Sequence, residues 1–342
     1  MSKKITLKWQ TTSIPMSMNL MHASAQRINE RTSGQVTVEC YGASELVSEH
    51  DVFKAVQNGQ LDIAYGSSGY GSSAGLLPHA EAGQLPIWAG GEAGCLFTKA
   101  VLDKYVRADM EALGVVPIFF EMNMATDFGY FVAPYVTDVW TTKIYSSLDE
   151  LKGTRIMSQT ETTHESLKAI GIVPVNIPYS EVPAGLKDGS LDGALLVTLL
   201  PLMLGIADVV TCCVRIGCKQ SEDSFTVMNK KVAESLPSGY MDIITDEVRN
   251  WWRANDRTVM IKHAQSLWSE RIKAGKIKIV ELTAEEKARC NKLWDATLTD
   301  AWIKKQVAAG FKDAKAYLDD LKKIEADILA SGVPGNLAEP LR

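Results

Sequence analysis

The chain has 342 residues, 46% of them hydrophobic, with 36 Lys+Arg against 41 Asp+Glu and a formal net charge of −5. That length suits about two domains with real cores, and the apolar content excludes a disordered chain. The mildly acidic balance excludes an electrostatic grip on nucleic acid or anionic lipid as the main function, because that needs a basic face.

The N-terminus, Met1-Ser2-Lys3-Lys4, runs straight into a period-2 strand pattern, Ile5 to Trp9. Without an apolar run and a small-residue cleavage site there, it reads as a cytoplasmic protein or as a mature form re-started with Met. An amphipathic helix follows over Met18–Thr32, then a strand from Val36 to Val38, a helix over Glu49–Asn58 and a strand from Leu61 to Tyr65. Strands alternating with helices predict parallel βαβ units. The pattern returns as a helical turn at Leu148–Gly153, a strand at Arg155–Met157, a helix over Thr163–Ile170, a strand at Val173–Val175 and a helix over Ser180–Lys187. A run of helix, glycine and Leu-Asp occurs twice, ending at Gly59…Leu61-Asp62 and at Gly189…Leu191-Asp192, so two similar α/β lobes are the simplest reading. The most apolar stretch, Gly193 to Ala207, lies between Asp192 and Asp208 and contains Pro201 and Gly205. It is shorter than the roughly 20 residues of a bilayer-spanning helix. The C-terminal third predicts long charged helices over Thr245–Ala274 and Ala284–Ala309 and a last one over Lys312–Ala330. Their Trp251, Trp252, Trp268, Trp294 and Trp302 read as packing anchors, since large rings dominate burial.

Signals for catalysis are thin. Gly71-Ser72-Ser73-Ala74-Gly75 matches G-x-S-x-G, but the strand before it ends near Tyr65, too early for a nucleophile elbow. A hydrolase using Ser73, with His79 as the nearest base in sequence, is the alternative from the enzyme class. The five histidines are scattered, and the Gly-rich run Gly66–Gly75 lacks the features of a P-loop or a dinucleotide fingerprint, so no cofactor is expected. Cys212, Cys213 and Cys218 do not have a zinc spacing. Neighbouring strand residues point to opposite faces, and buried thiols are the expectation. Loops beyond parallel strands, in two facing lobes without a catalytic set, point to a receptor that hinges shut on a ligand.

Several stretches in order carry a resemblance: Ala43-Ser44-Glu45-Leu46, Leu61-Asp62-Ile63-Ala64-Tyr65, Ser147 to Gly153 with Arg155-Ile156, Gly171 to Val175 followed by Ser180-Glu181-Val182, Gly189 to Gly193, and Gly310-Phe311-Lys312-Asp313-Ala314. Over nearly its whole length the chain resembles the solute-binding proteins of TRAP (tripartite ATP-independent periplasmic) transporters. The resemblance implies an α/β fold, two-lobed and periplasmic-binding-protein-like (class II type), with hinge strands and a long C-terminal bracing helix. Lobe I would take residues 1–124 plus about 213–250, and lobe II 125–212 plus about 251–342, with the ligand cleft between them. It implies a periplasmic, monomeric receptor, its signal peptide removed, with no catalytic activity, cofactor or metal. Its partners would be a small-molecule solute and the membrane permease subunits, with no nucleic acid. A ligand-sensing receptor for signalling shares this fold.

The expected cleft departs from the family. Where the resemblance places a carboxylate-binding arginine, this chain has Met157. A second arginine position falls at Asp127, and an asparagine position at Leu195-Leu196. A guanidinium suits that task because it donates two parallel hydrogen bonds. Three readings stay open. Arg155, about 6.6 Å from Met157 along the strand, reaches the ligand instead. Or the ligand is neutral or cationic, facing Asp127 or Glu121 with Tyr130, Phe128 or Trp9 giving cation–π contacts. Or Asp127 is a solvated loop carboxylate. Polar groups just beyond strand ends complete the expected site: Gln10, Thr11 and Thr12 after the first strand, Ser67 and Ser68 after the third, and Asn123 beyond Glu121. The candidate ligand contacts are therefore Trp9, Gln10, Thr11, Ser67, Ser68, Glu121, Asn123, Asp127, Arg155, Met157 and Leu196.

Overall fold

The structure, a computed structural model, describes residues 4–11, 15–67, 76–83, 85–88, 91–121, 136–158, 160–177, 179–198, 200–219, 224–254 and 266–333. In chain order the first half runs β1 (Ile5–Gln10), α1 (Pro15–Arg31), β2 (Val36–Tyr41), α2 (Val52–Gln57), β3 (Ile63–Ser67), α3 (Pro78–Gly83), α4 (Gly91–Val101), α5 (Arg107–Ala112) and β4 (Val115–Glu121). Then come β5 (Val136–Thr141), β6 (Arg155–Met157), α6 (Glu161–Ala169), β7 (Val173–Val175), α7 (Val182–Asp188), β8 (Gly193–Val197), α8 (Leu200–Met203), β9 (Cys212–Lys219) and β10 (Ser224–Asn229). The C-terminal part is α9 (Lys230–Ser235), α10 (Tyr240–Ala254), α11 (266–273), β11 (Lys278–Glu281), α12 (Ala284–Ala308) and α13 (Ala314–Ala330). The turn expected to be helical at Leu148–Gly153 is a run of tight turns, and the pattern over Thr245–Ala274 is not one described helix but α10 and α11 on either side of residues 255–265. Among the described residues no helix is long and apolar enough to cross a membrane.

Two sheets carry the fold. The first has the order β2-β1-β3-β10-β4 and the second β11-β9-β5-β8-β6-β7. In the first, β1 is parallel to β2 and β3, and β10 runs antiparallel between β3 and β4. In the second, β6 is parallel to β7 and β8, and β5 runs antiparallel between β8 and β9. Numbered within each lobe, both sheets follow the same plan: second, first and third strands, an antiparallel strand received from the other lobe, then the fourth. The second sheet adds β11 at its edge. The repeat seen in the sequence is thus a repeat of lobes.

The repeated Leu-Asp serves the same joint in each. Asp62 Oδ2 accepts the Lys8 amide at 2.7 Å, and Asp192 Oδ2 accepts the Arg155 amide at 2.9 Å. In both lobes an aspartate at the entry of the third strand holds an amide of the first, within β1 at Lys8 and at the start of β6 at Arg155. Gly59 and Gly189 precede these joints at φ +78, a left-handed turn that favours glycine.

Both crossings between sheets join the same edges. β4 leaves the first sheet at its carboxyl end and β5 enters the second at Val136. β9 leaves the second at its carboxyl end, Lys219, and β10 enters the first at Ser224. Both crossings therefore run between the carboxyl edges of the two sheets' parallel strands. The return crossing lies at Lys219–Ser224, which corrects the boundary expected near residue 213: Cys212–Lys219 pairs with β5 and β11, inside the second sheet. The boundary at 250 shifts as well. α10 packs on α1, and its Trp251 sits edge-on to Trp9 (5.4 Å) and Tyr65 (5.8 Å) in the first lobe's core.

The bracing helix is α12. A Thr283–Glu286 capping box starts it, and its first half belongs to the second lobe. Glu286 Oε1 accepts the Leu148 amide at 2.9 Å, and the Trp294 indole donates to the Ser166 carbonyl at 2.9 Å. α13 belongs to the first lobe, where the Tyr317 hydroxyl donates to the His79 carbonyl at 2.7 Å and the Tyr105 hydroxyl donates to Asp320 at 2.5 Å. One apolar cluster follows this strap from Phe53 and Phe97 through Trp302 and Tyr317 to Trp294 and Leu167, so the lobes share a core along their back.

Candidate functional site

In the first lobe, register sets the cleft edge. Ser224 of β10 pairs with Ser67 on one side and Glu121 on the other, so three strand ends form one row. Gln10 ends β1 nearby, but its side chain is fully buried and hydrogen-bonded to backbone. Its Nε2 donates to the Val47 carbonyl at 2.8 Å, and its Oε1 accepts the amides of Leu46 and Val47, each at 3.1 Å. It anchors the loop carrying the Ala43–Leu46 stretch. Thr11 is buried, its amide donating to the Tyr41 carbonyl. Trp9 is a core residue: on β1 it alternates inward with Leu7 and lies under Trp251, away from the cleft edge. Ser68, Thr12, Ser73, Asn123, Asp127, Phe128 and Tyr130 lie outside the described residues.

In the second lobe the two residues around which the ligand question turns are separated by the strand. Arg155 begins β6, at the end remote from the cleft edge, and its guanidinium is occupied there. Nε and one terminal nitrogen bond Asp192 at 3.0 and 3.1 Å, and the same terminal nitrogen donates to the Gly189 carbonyl at 2.6 Å. This fork holds the Asp192 carboxyl below its ordinary range, whereas Asp62, its counterpart in the first lobe, is pushed up by burial. The structure thus gives Arg155 a structural clamp rather than a place at the cleft. Met157, at the carboxyl end of β6, is fully buried in an apolar layer with Leu196, Trp140, Val182 and Trp268. Two indoles fix the end of the adjoining strand: Trp140 donates to the Leu196 carbonyl at 3.0 Å and Trp268 to the Thr198 carbonyl at 2.8 Å. The rings themselves lie 4.6 Å apart.

Sequence reading missed one group on this face. Asp138 of β5 pairs in register with Leu196 and is 1% exposed, and neither of its oxygens receives an N–H or O–H. The ladder shifts there, with Arg215–Gly217 bulging opposite Asp138. Among the described residues the Arg215 Nε is the cation beside it, at 3.8 Å, and Arg215 also bonds Glu281 at 3.1 Å. Burial pushes the Asp138 carboxyl up to about 7, Arg215 pulling the other way. Alternation along Val-Thr-Asp-Val-Trp-Thr was the available signal, since it sets Asp138 on the face of Trp140.

The features read as enzyme-like have other occupations. The His79 ring stacks on Tyr105, abuts Phe311 and Tyr317, and bonds Asp109 Oδ1 through Nδ1 at 2.7 Å. That enclosure ties α3 to α5 and α13. Cys212 and Cys213 bury into opposite layers of the second sheet, as neighbouring strand residues must. Among the described residues no group of three or more metal-ligating side chains comes together.

Residues 15–305 match the family described as bacterial extracellular solute-binding protein, family 7. The chain belongs to that family. Its members are receptors of TRAP transporters rather than enzymes. Among curated proteins it is similar to the uncharacterized protein YiiZ of Salmonella typhimurium, 26% identical over 178 residues, and to the uncharacterized protein y4mM of Sinorhizobium fredii, 26% identical over 174. The first match spans 51% of this chain and 50% of the relative, the second 49% and 29%. Solved structures share the fold over nearly the whole length. A marine metagenome TRAP protein specific for aromatic acids gives a TM-score of 0.73 at 19% identity, covering 95% of this chain and 99% of that one. A Rhodoferax ferrireducens protein with copurified benzoate gives 0.71 at 19%, covering 96% and 100%. A Bordetella pertussis extracytoplasmic receptor binding pyroglutamic acid gives 0.68 at 19%, covering 93% and 99%.

Proposed function

We propose that this protein captures a small organic solute outside the cytoplasm by closing its two lobes, and hands it to a membrane permease of the TRAP type. The support is the family, together with two chain crossings that both join the carboxyl strand edges of the lobes.

We infer further that the solute is neutral or cationic. One observation carries this: where the family presents a guanidinium this chain has Met157, whose side chain is buried in the second lobe's apolar core, while Arg155 spends its fork on Asp192. The first lobe supplies the polar contacts in this reading, from the row Ser67–Ser224–Glu121 and from Ser68, Asn123 and Asp127 beyond it. An anionic ligand set against Asp127 and Glu121 without a guanidinium would lose its hydration uncompensated. Calorimetric titration with carboxylates, amines and neutral solutes tests this. Neutral or cationic compounds should bind, and Arg155→Ala should leave their affinity unchanged while lowering the melting temperature. Binding confined to carboxylates and abolished by Arg155→Ala overturns the inference.

A further inference from the structure

The strap formed by α12 and α13 passes from the second lobe to the first, and its crossing point carries charge. Lys305, in the last turn of α12, donates to Glu81 Oε1 at 2.7 Å and to Glu161 Oε2 at 2.5 Å. Glu81 lies on α3, between β3 and β4 of the first lobe. Glu161 opens α6, between β6 and β7 of the second. The neighbouring Gln306 donates to the other Glu81 oxygen at 2.6 Å. One ammonium thus bridges carboxylates on the two bodies that must move relative to each other.

The two arms are unequal. The Glu81 side chain is 7% exposed, and that of Glu161 is 55%. Burial pushes the Glu81 carboxyl up, with Lys305 and Gln306 opposing it. Removing Lys305 would strand a buried carboxylate, so that arm stays closed whenever the chain is folded. The Glu161 arm sits in water, where an ion pair is weak enough to form and break. Other polar contacts of the strap hold one side or the other: Glu286, Arg289 and Trp294 the second lobe, Tyr317 and Asp320 the first.

We propose that Lys305 is a latch between the lobes, anchored on Glu81 and engaging Glu161, and that it sets how far they separate before any solute is bound. It is a positioning residue and touches no ligand. Because a receptor's apparent affinity scales with the fraction of molecules already in the competent arrangement, such a latch tunes affinity from the back of the molecule. The inference rests on the reading of this protein as a closing receptor.

The test uses the solute-free protein, with fluorophores attached through azide-bearing residues at the exposed positions 54 on α2 and 187 on α7, one per lobe. Single-molecule transfer efficiency reports the distribution of lobe separations. Glu161→Gln cuts only the weak arm and should lower the latched population about twofold to fivefold, the range for an exposed ion pair. Its melting temperature should stay at the wild-type value. Lys305→Arg should restore a distribution like that of the wild type, and Lys305→Met should widen it further. An unchanged distribution in Glu161→Gln overturns the latch, whether or not Lys305→Met folds. Failure of the receptor reading looks different: solutes then bind the wild type without narrowing its distribution, while the effect of Glu161→Gln on the solute-free protein persists.

Discussion

At the scale of single residues, buried polar groups divide by whether they are satisfied. Glu247 of α10 shows the satisfied case: Arg27 bonds one oxygen at 2.6 Å and Arg31 the other at 2.8 Å, and the carboxyl lies below its ordinary range although burial alone would raise it. Asp138 is the opposite case. Its neighbours are Arg215 and Cys213 on β9, Glu281 on β11 and Lys287 on α12, and none compensates for its lost water. A carboxyl raised from 3.8 to about 7 is favoured in its neutral form by the fold. Its contribution is therefore complete below pH 4 and is lost as pH rises through 7, at up to about 1.4 kcal/mol per unit. Chemical denaturation of the wild type against Asp138→Asn should show this. The asparagine variant should gain roughly 2–4 kcal/mol relative to wild type at pH 8 over pH 4. A difference independent of pH would mean that Arg215 keeps the carboxylate ionised.

At the scale of elements, the two lobes solve one joint with different side chains. In the first lobe Asp62 is followed by Ile63, while in the second Asp192 is followed by Gly193. Gly193 pairs with Thr141 of β5, and there a Cβ would sit 2.5 Å from the Trp140 carbonyl oxygen and 2.8 Å from Thr141 Cγ2. That oxygen belongs to a central strand bonded on both sides and has nowhere to go. Gly193→Ala should destabilise the protein by about 2–4 kcal/mol in equilibrium unfolding; a cost under about 0.5 kcal/mol, the scale of ordinary surface changes, would show that β5 can yield.

Elements of this kind were the most legible part of the sequence. Strand and helix alternation placed β1 to β3, β6 and β7 within a few residues, because a change of period marks each. The tryptophan spacing marked helices that bury them, and Trp251, Trp268, Trp294 and Trp302 are all core residues. Trp9 and Gln10 were harder to judge, since position beyond a strand start says nothing about which face a ring or amide takes until its neighbour across the layer is known. Arg155 illustrates the same limit. Its partner Asp192 is 37 residues away and meets it only when β6 and β8 pair. The fork is invisible to spacing along one strand.

At the scale of the whole molecule, two equivalent lobes, two crossings at the same edges and a strap along the back make a hinged body with one open side. The return crossing could not be placed from sequence because β9 and β10 are consecutive apolar strands with only residues 220–223 between them, and their division between sheets is a matter of tertiary pairing. The strap explains how the hinge is limited: α12 holds one lobe, α13 the other, and Lys305 stands where they meet. In the function proposed above, solute capture follows from closure of the two lobes between their carboxyl strand edges. Mass spectrometry of whatever the folded protein retains through purification, released by denaturation, tests that account most directly. The account predicts one small organic molecule that is uncharged or carries an amine, retained at one per chain. A retained carboxylate would contradict it, whether or not the Arg155→Ala variant still binds it.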